Sequence, residues 1–355
     1  MGIRPYDGES IIANEVRRTY AEAELRAIEA ITRALKRDKD SPVWAQKKLQ
    51  EISIVKSEVN QDVIEYLKNF DKDVADAVEK AYKKGQKSAE VDLRKVDDLK
   101  VEGTFSSSNR KAVEALAKET VNKLDSTHLR ILRSVDDVYR KAVAEATRAT
   151  TAGAQTRLDA AQSVLNKFAN RGVTGFVDEA GRNWNLSSYA EMATRSSTGR
   201  AAINGMTDRI QENDKDLVIV SDHGDECELC RPWERRVLSI SGKSDKYPSL
   251  STARNAGLFH PNCRHTLNLY TPGLTENVGN DAAQSGESNY QTRQKQRYNE
   301  RNIRKWKRRK VAALNEKEEQ KARSYISKWQ KRQRELVDEN DLRRKYEREQ
   351  INQAR

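Results

Sequence analysis

The chain has 355 residues, of which 34% are charged and 36% hydrophobic, and it carries a formal net charge of +12 with a mean hydropathy of −0.92. Compact globules usually hold about 45–50% apolar residues, so part of this chain is expected to be solvated, extended or wrapped on partners. No apolar run approaches the roughly 20 residues of a membrane span, and MGIRPYDGES lacks the hydrophobic core of a signal peptide, so a reducing cytosol is the expected place of synthesis.

Helical periodicity dominates residues 1–153. Ile12, Val16, Tyr20, Ala23, Ala27, Ile31 and Leu35 recur at steps of three and four, which predicts a helix from about Glu9 to Arg37 with one apolar stripe. Pro42 suits the first turn of a second helix, whose stripe runs from Leu49 to Phe70. A weaker stripe covers Val74, Val78, Ala81 and Tyr82, and after a loop marked by Gly103 and Ser106 another runs from Val113 to Val143. Each stripe is narrow and would bury one side, in a bundle or in an elongated helical arm. His128 sits beside Leu129 and Leu132 and reads as a packing or surface residue.

Residues 154–285 mix the two periods and predict a small α+β module. A helix is expected over 155–169, then a hairpin over 176–186 with Gly181 in its turn. Ser188-x-x-Glu191 has the form of a capping box opening a helix to about Glu212. Leu217 to Val220 is four apolar residues in a row and reads as a buried strand. Val237 to Ile240 and His265 to Tyr270 are further strand candidates, with a short helix or turn between Ser249 and Ala256.

Within this module lies an uneven distribution. All three cysteines (Cys227, Cys230, Cys263) and three of the four histidines (His223, His260, His265) fall between His223 and Tyr270. Zinc takes four tetrahedral ligands from thiolate and imidazole, and Cys227-x2-Cys230 has the usual chelating spacing. His260-x2-Cys263 repeats it, while Cys263-x-His265 puts two side chains on one side of an extended strand. Six candidates stand for four places. The competing readings are buried thiols acting as small apolar groups, or a nucleophilic Cys–His pair. A disulfide between Cys227 and Cys230 would close a very small ring and leave Cys263 odd, which argues against an oxidising compartment. Trp233 is expected over the site or in the ordinary core. Asp222, Asp225 and Glu226 read as a solvated acidic turn, and no hydrolase or phosphate-loop motif is present.

Residues 286–355 read as a basic helical tail behind a polar linker at 277–288. From 291 onward, 22 Lys and Arg stand against 10 Asp and Glu, which is the whole formal excess; residues 1–290 are neutral. Two helical stretches are expected, the second running to about Gln350. The run Arg304, Lys305, Trp306, Lys307, Arg308, Arg309, Lys310 joins charge to an aromatic ring and could grip phosphates without sequence specificity; the alternative is a solvated helix laced with ion pairs.

The run from Cys227 through Trp233, Leu238 to Lys243, Lys246-Tyr247-Pro248 and Gly257 to His265, closing on Thr271-Pro272-Gly273, resembles the phage minor capsid proteins. Trp233, Ser239 to Tyr247 and Asn262 to His265 are similar to the phage minor capsid protein 2 family. Cys227-x2-Cys230 and His260-Pro261-x-Cys263-Arg264 are similar to the head-morphogenesis family typified by the F protein of phage Mu. The chain departs from the first group at Glu234-Arg235, where relatives have Gln-Gly, and at Cys230, where they often have His. The second group often has Cys where His265 stands. Alternation of Cys and His is what a metal site permits.

The resemblance implies a non-enzymatic structural protein of the phage head, present in few copies at the portal or inner capsid wall. Its implied partners are portal protein, major capsid protein and packaged DNA, with a role in head morphogenesis, packaging or ejection after assembly in the host cytoplasm. The expected fold is mainly α: a helical region over 1–153, a zinc-stapled α+β module over 154–285 with ligands among Cys227, Cys230, His260, Cys263 and His265, and the basic tail over 286–355. The alternatives are a nucleic-acid-binding zinc protein outside the capsid, and a phage-delivered cysteine-dependent toxin or hydrolase.

Overall fold

The computed structural model describes residues 6–68, 70–96, 106–172, 174–177, 183–222, 228–261, 263–275 and 286–352. In chain order these form α1 (Tyr6–Lys36), α2 (Trp44–Leu67), α3 (Phe70–Val96), α4 (Ser107–Thr151), α5 (Arg157–Arg171), β1 (Thr174–Val177), β2 (Asn183–Asn185), α6 (Leu186–Glu212), β3 (Leu217–Val220), β4 (Val237–Ser239), α7 (Leu250–Asn255), β5 (Leu267–Leu269), α8 (Gly286–Val311) and α9 (Glu316–Glu339). The chain is mainly helical, as expected, with a small sheet. Two compact units collect separate stretches: one holds residues 1–15, 71–123 and 191–293, the other 16–70, 124–190 and 294–355.

In the second unit, α1 departs from the narrow stripe expected of it. From Tyr20 to Leu35 every residue is buried except Arg26, Glu29 and Arg33, which mark a single outward line. The sequence permits this because Ala21, Ala23, Ala27, Ala30 and Ala34 let neighbours approach from several sides, and all are buried. Tyr20 meets Phe70 edge to face at 5.6 Å between centroids. Glu24, 2% exposed, is engaged by Asn185 at 3.3 Å and lies 3.9 Å from Arg308.

The C-terminal segment is built into this unit. Ile303 and Trp306 are buried. Gln162 of α5 donates to the Ala312 carbonyl at 3.1 Å and accepts from the Leu314 N–H at 2.6 Å, closing both ends of its amide against the α8–α9 connection. Arg344 forks onto the buried Glu349 at 2.7 and 2.8 Å. The expected second tail helix stops at Glu339, and a 3-10 turn follows at Tyr346–Glu349.

The first unit holds the small sheet. Strand order is β4-β3-β5, antiparallel throughout, with Val218 opposite Leu238 on one side and Leu269 on the other. β3 is half-buried rather than wholly buried: Val218 and Val220 face the core, while Leu217 and Ile219 are intermediate. Against the apolar face pack Ala89 and Leu93 of α3, Ile203, Met206 and Ile210 of α6, and Leu250 and Ala253 of α7. α3 extends fourteen residues past the predicted stripe, to Val96, because Ala89 and Leu93 prolong its buried face.

α3 and α6 approach at backbone level. A Cβ on Gly85 would stand 1.9 Å from the Ala202 carbonyl oxygen, and one on Gly205 would stand 2.1 Å from that of Tyr82. α6 also starts earlier than its expected capping box. Asn185 accepts from the Ser188 N–H at 3.3 Å and acts as the cap, while Glu191 instead pairs with Arg195 at 2.7 Å. The hairpin tip at 178–182 and the linker residues 276–285 lie outside the described residues.

Candidate metal centre

The sheet brings two distant segments together. After β3 the chain returns through a turn at 228–230 and a 3-10 turn at Arg231–Trp233, where Pro232 suits the opening position. The Trp233 N–H donates to the Cys230 carbonyl at 2.8 Å, which fixes the cysteine at the head of that turn. On the other side, α7 ends at Asn255 and is followed two residues on by Gly257, whose φ of +109 is open to glycine. The next residues wind into a tight turn in which the Cys263 N–H donates to the His260 carbonyl at 2.9 Å.

The result is a three-donor cluster. Cys230 Sγ, Cys263 Sγ and a ring nitrogen of His260 all lie within 4.8 Å of one another. The two sulfurs are 3.5 Å apart and no disulfide joins them. His260 Nδ1 is 2.8 Å from the Pro261 carbonyl. A carbonyl only accepts, so Nδ1 carries the proton and Nε2 the lone pair that a metal uses. Cys230 is 1% exposed and belongs to the hydrophobic core, with Cys263 and Trp233 packed at its edge. Trp233 thus packs against the core, the second of its two expected places, with the Arg236 guanidinium 5.7 Å from its ring centroid.

His265 stands behind this cluster. Its Nδ1 is 3.3 Å from Cys263 Sγ, and its Nε2 is 2.6 Å from Glu234 Oε1. Both residues are buried, His265 at 2% and Glu234 at 6% exposure. The backbone N–H of His265 also points at Cys263 Sγ, at 3.4 Å. The hydrogen bond with Cys230, followed by those from His265, holds the Cys263 thiol down at about 4 despite its burial. Burial works against the charged imidazole, but Cys263 and Glu234 outweigh it and push His265 up to about 9. Each of the two shifts favours the charged form of its own group.

Two chemistries use such parts. A nucleophile with a base and an orienting carboxylate would need Cys263, His265 and Glu234. A metal would use the two sulfurs and an imidazole, with a carboxylate–histidine contact behind them. A second sulfur at 3.5 Å and a second imidazole are donors that a metal would use and that a nucleophile does not need. Glu234 was legible in the sequence only as a departure from the family pattern. Its signal was the change from an amide to an ionisable side chain.

Of the five expected ligands, the structure gathers Cys230, His260 and Cys263, and sets His265 against Cys263. Cys227, with His223, Asp225 and Glu226, lies outside the described residues; so does the side chain of His128.

The basic run of α8 is committed to its own unit. Arg304 donates to the Arg348 carbonyl. Lys307 meets Gln350 at 2.7 Å, and Arg308 reaches the Ala169 carbonyl at 2.9 Å. Arg309 bonds Asn166 at 3.2 Å and Glu318 at 3.3 Å while covering the Trp306 ring. Lys305 lies 5.8 Å from the centroid of that ring, and Trp306 itself is stacked face to face on Tyr325 at 4.0 Å. Lys310, half-buried in the last turn of α8, complements the helix dipole.

The described residues thus form a mainly helical protein with a small sheet and a partly buried Cys/His cluster. The chain belongs to the phage minor capsid protein 2 family, whose sequence profile matches residues 5–338. It is similar to a "Structural protein" of Lactococcus phage LL-H, at 29% identity over 327 residues, covering 82% of this chain and 85% of that one. It is also similar to a "Structural protein" of Lactococcus phage mv4, at 40% identity over 114 residues, covering 30% of this chain and 93% of the other. No solved structure matches. Membership of this family makes the chain a virion structural protein. Among the described residues, no helix is long and apolar enough to cross a membrane.

Proposed function

We propose that this protein is a minor head component in which a structural Zn2+ staples the sheet unit, and that this unit meets the portal or the major capsid protein on the inner side of the head. The observation that carries the metal is the convergence of Cys230, His260 and Cys263 donors within 4.8 Å. In a tetrahedral zinc site, bond lengths of about 2.3 Å to sulfur and 2.0 Å to nitrogen put two sulfurs about 3.8 Å apart and a sulfur and nitrogen about 3.5 Å apart. The distances of 3.5 Å between sulfurs and 3.3 Å from Cys263 to His265 fall near those edges. Cys230, Cys263 and His260 would hold the ion, with His265 or Cys227 as fourth ligand and Glu234 fixing the His265 ring.

The need for such a staple follows from the size of the sheet. Its strands are three or four residues long, so its ladders alone hold little. Structural zinc contributes folding free energy directly, about 10–16 kcal/mol in small fingers. Assembly in the host cytoplasm keeps the thiols reduced until the ion binds. The basic α8 segment serves in this reading to lock the helical unit, since its arginines bond within it.

Phage carrying Cys230→Ser together with Cys263→Ser test this reading. Their heads should lack the protein or carry far less of it. Heads with the normal content, and normal DNA filling, would contradict it.

A further inference from the structure

We propose that the cavity beside the Cys/His cluster is a binding site for a phosphate group. The cavity has a volume of about 300 Å³, at the small end of ligand pockets. One wall is α6, which presents residues 195, 196, 199, 200 and 203 at steps of three and four. Arg195 and Arg200 come from that wall, and Arg254 from α7 opposite. Gly199 lies between the two α6 arginines and leaves the helix surface open there. No Asp or Glu is among the described residues lining the cavity.

The three cations are differently placed. Arg195 is buried and anchored from behind by Glu191 at 2.7 Å. Arg200 is exposed, and its contact with Glu119 is a 3.5 Å pair between half-exposed side chains, of the kind that stabilises little. Arg254 is exposed and donates to the neutral Asn204 Oδ1 at 3.3 Å. Desolvation by burial, and then the charge of Arg200, lower the pKa of Arg254; the charge of Asp208 works the other way. Two cations that repel each other across an open cavity are in the arrangement that an anion relieves.

The chemistry favours phosphate over carboxylate. One arginine fork satisfies a planar carboxylate, whereas three arginines lining two walls suit a tetrahedral oxyanion with oxygens on several sides. The phosphate can be free in solution or part of a nucleic acid, since the recognised group is the same. His260 and Cys263 also line the cavity, but the arginines hold their places through Glu191, Glu119 and Asn204, so phosphate binding and metal content are read separately.

The test is calorimetric titration of the full-length protein with inorganic phosphate, for the wild type and for the double variant Arg200→Gln, Arg254→Gln. Both side chains are exposed, so the variant should melt with the wild type and keep its metal content. The wild type should bind one phosphate per chain, and the variant should bind at least about tenfold more weakly, as loss of a charged hydrogen bond implies. A 5′-phosphorylated short oligonucleotide then separates the sources. Competition with phosphate assigns the site to nucleic acid, and its absence assigns it to the free ion. No saturable binding by the wild type, or equal binding by the variant, would overturn the proposal.

Discussion

Cys230 and Cys263 are 33 positions apart in the chain and 3.5 Å apart at their sulfur atoms. That spacing is far beyond the 2.03–2.05 Å of a disulfide and close to the edge of a tetrahedral thiolate site, near 3.8 Å. The fold places them there by hydrogen-bonding β4 and β5 to the two sides of β3, so that the turns leaving the sheet converge. Geometry imposed by backbone pairing, rather than by the thiols themselves, is what a preorganised site requires.

Glu234 should tune this site without building it. Its carboxylate holds His265 at 2.6 Å. Replacement by Gln, the residue that relatives carry, keeps a hydrogen bond and removes the charge. Glu234→Gln should fold and keep one metal per chain. Glu234→Ala should weaken metal affinity by about 10–100-fold, as measured by competition with a chelating dye. Equal affinity for all three proteins would show that His265 needs no orienting partner.

Gly85 and Gly205 give a prediction whose sign separates two effects. Helix propensity alone favours alanine over glycine by about 1 kcal/mol. A Cβ at either position would enter the carbonyl of the facing helix. Overpacking of this kind costs about 1–3 kcal/mol, so Gly85→Ala and Gly205→Ala should each lower the urea midpoint. A rise in the midpoint would mean that α3 and α6 do not cross at this distance.

Arg235 has a φ of +56, in the left-handed region, where the family pattern has glycine. Its N–H donates to the Val220 carbonyl at 3.1 Å, and its guanidinium pairs with Asp222 at 2.6 Å. Arg235→Gly removes the strain and the ion pair together and should change stability by less than about 1 kcal/mol. Arg235→Val keeps the strain and loses the pair, and should cost about 1–2 kcal/mol in the same denaturation assay.

Asp216 sets a pH dependence in the sheet. Burial would raise its pKa, but hydrogen bonds from the Ser239 hydroxyl at 2.5 Å and the Ser241 N–H at 2.7 Å outweigh it and hold the carboxyl below its ordinary 3.8. A lowered folded value means that the stabilisation is present above pH 3.8 and disappears as the pH falls through the folded pKa. Asp216→Asn should therefore lose about 1 kcal/mol at neutral pH after allowance for solvent screening. The difference from wild type should close in acid. A gap that persists at low pH would assign the effect to packing.

The helices and strands were largely legible because each carries its own period. The Ile12 to Leu35 stripe and the apolar run from Leu217 to Val220 need no tertiary information, although the run did not show that only Val218 and Val220 would face the core. The depth of burial was not legible: α1 is enclosed on several sides by virtue of its alanines, which a stripe of large residues does not reveal. The intramolecular partners of α8 were not legible for a related reason. Composition records the charge of Arg304, Arg308 and Arg309, while their carbonyl and carboxylate partners come from α5, α9 and the C-terminal turn, distant in sequence. The Cys/His cluster was visible through residue type and spacing, whereas Glu234 showed only as a departure from the family pattern, without its contact to His265. A glutamate near a cysteine motif is common, and only strand pairing brings it under His265, 31 positions away.

Metal content of the purified full-length protein is the most direct measurement, read by elemental analysis together with thiol alkylation before and after chelation. One zinc per chain is expected, with Cys230 and Cys263 protected until the metal is removed and the sheet unit losing hydrogen-exchange protection when it leaves. A folded, metal-free protein whose Cys263 alkylates at once would contradict the account.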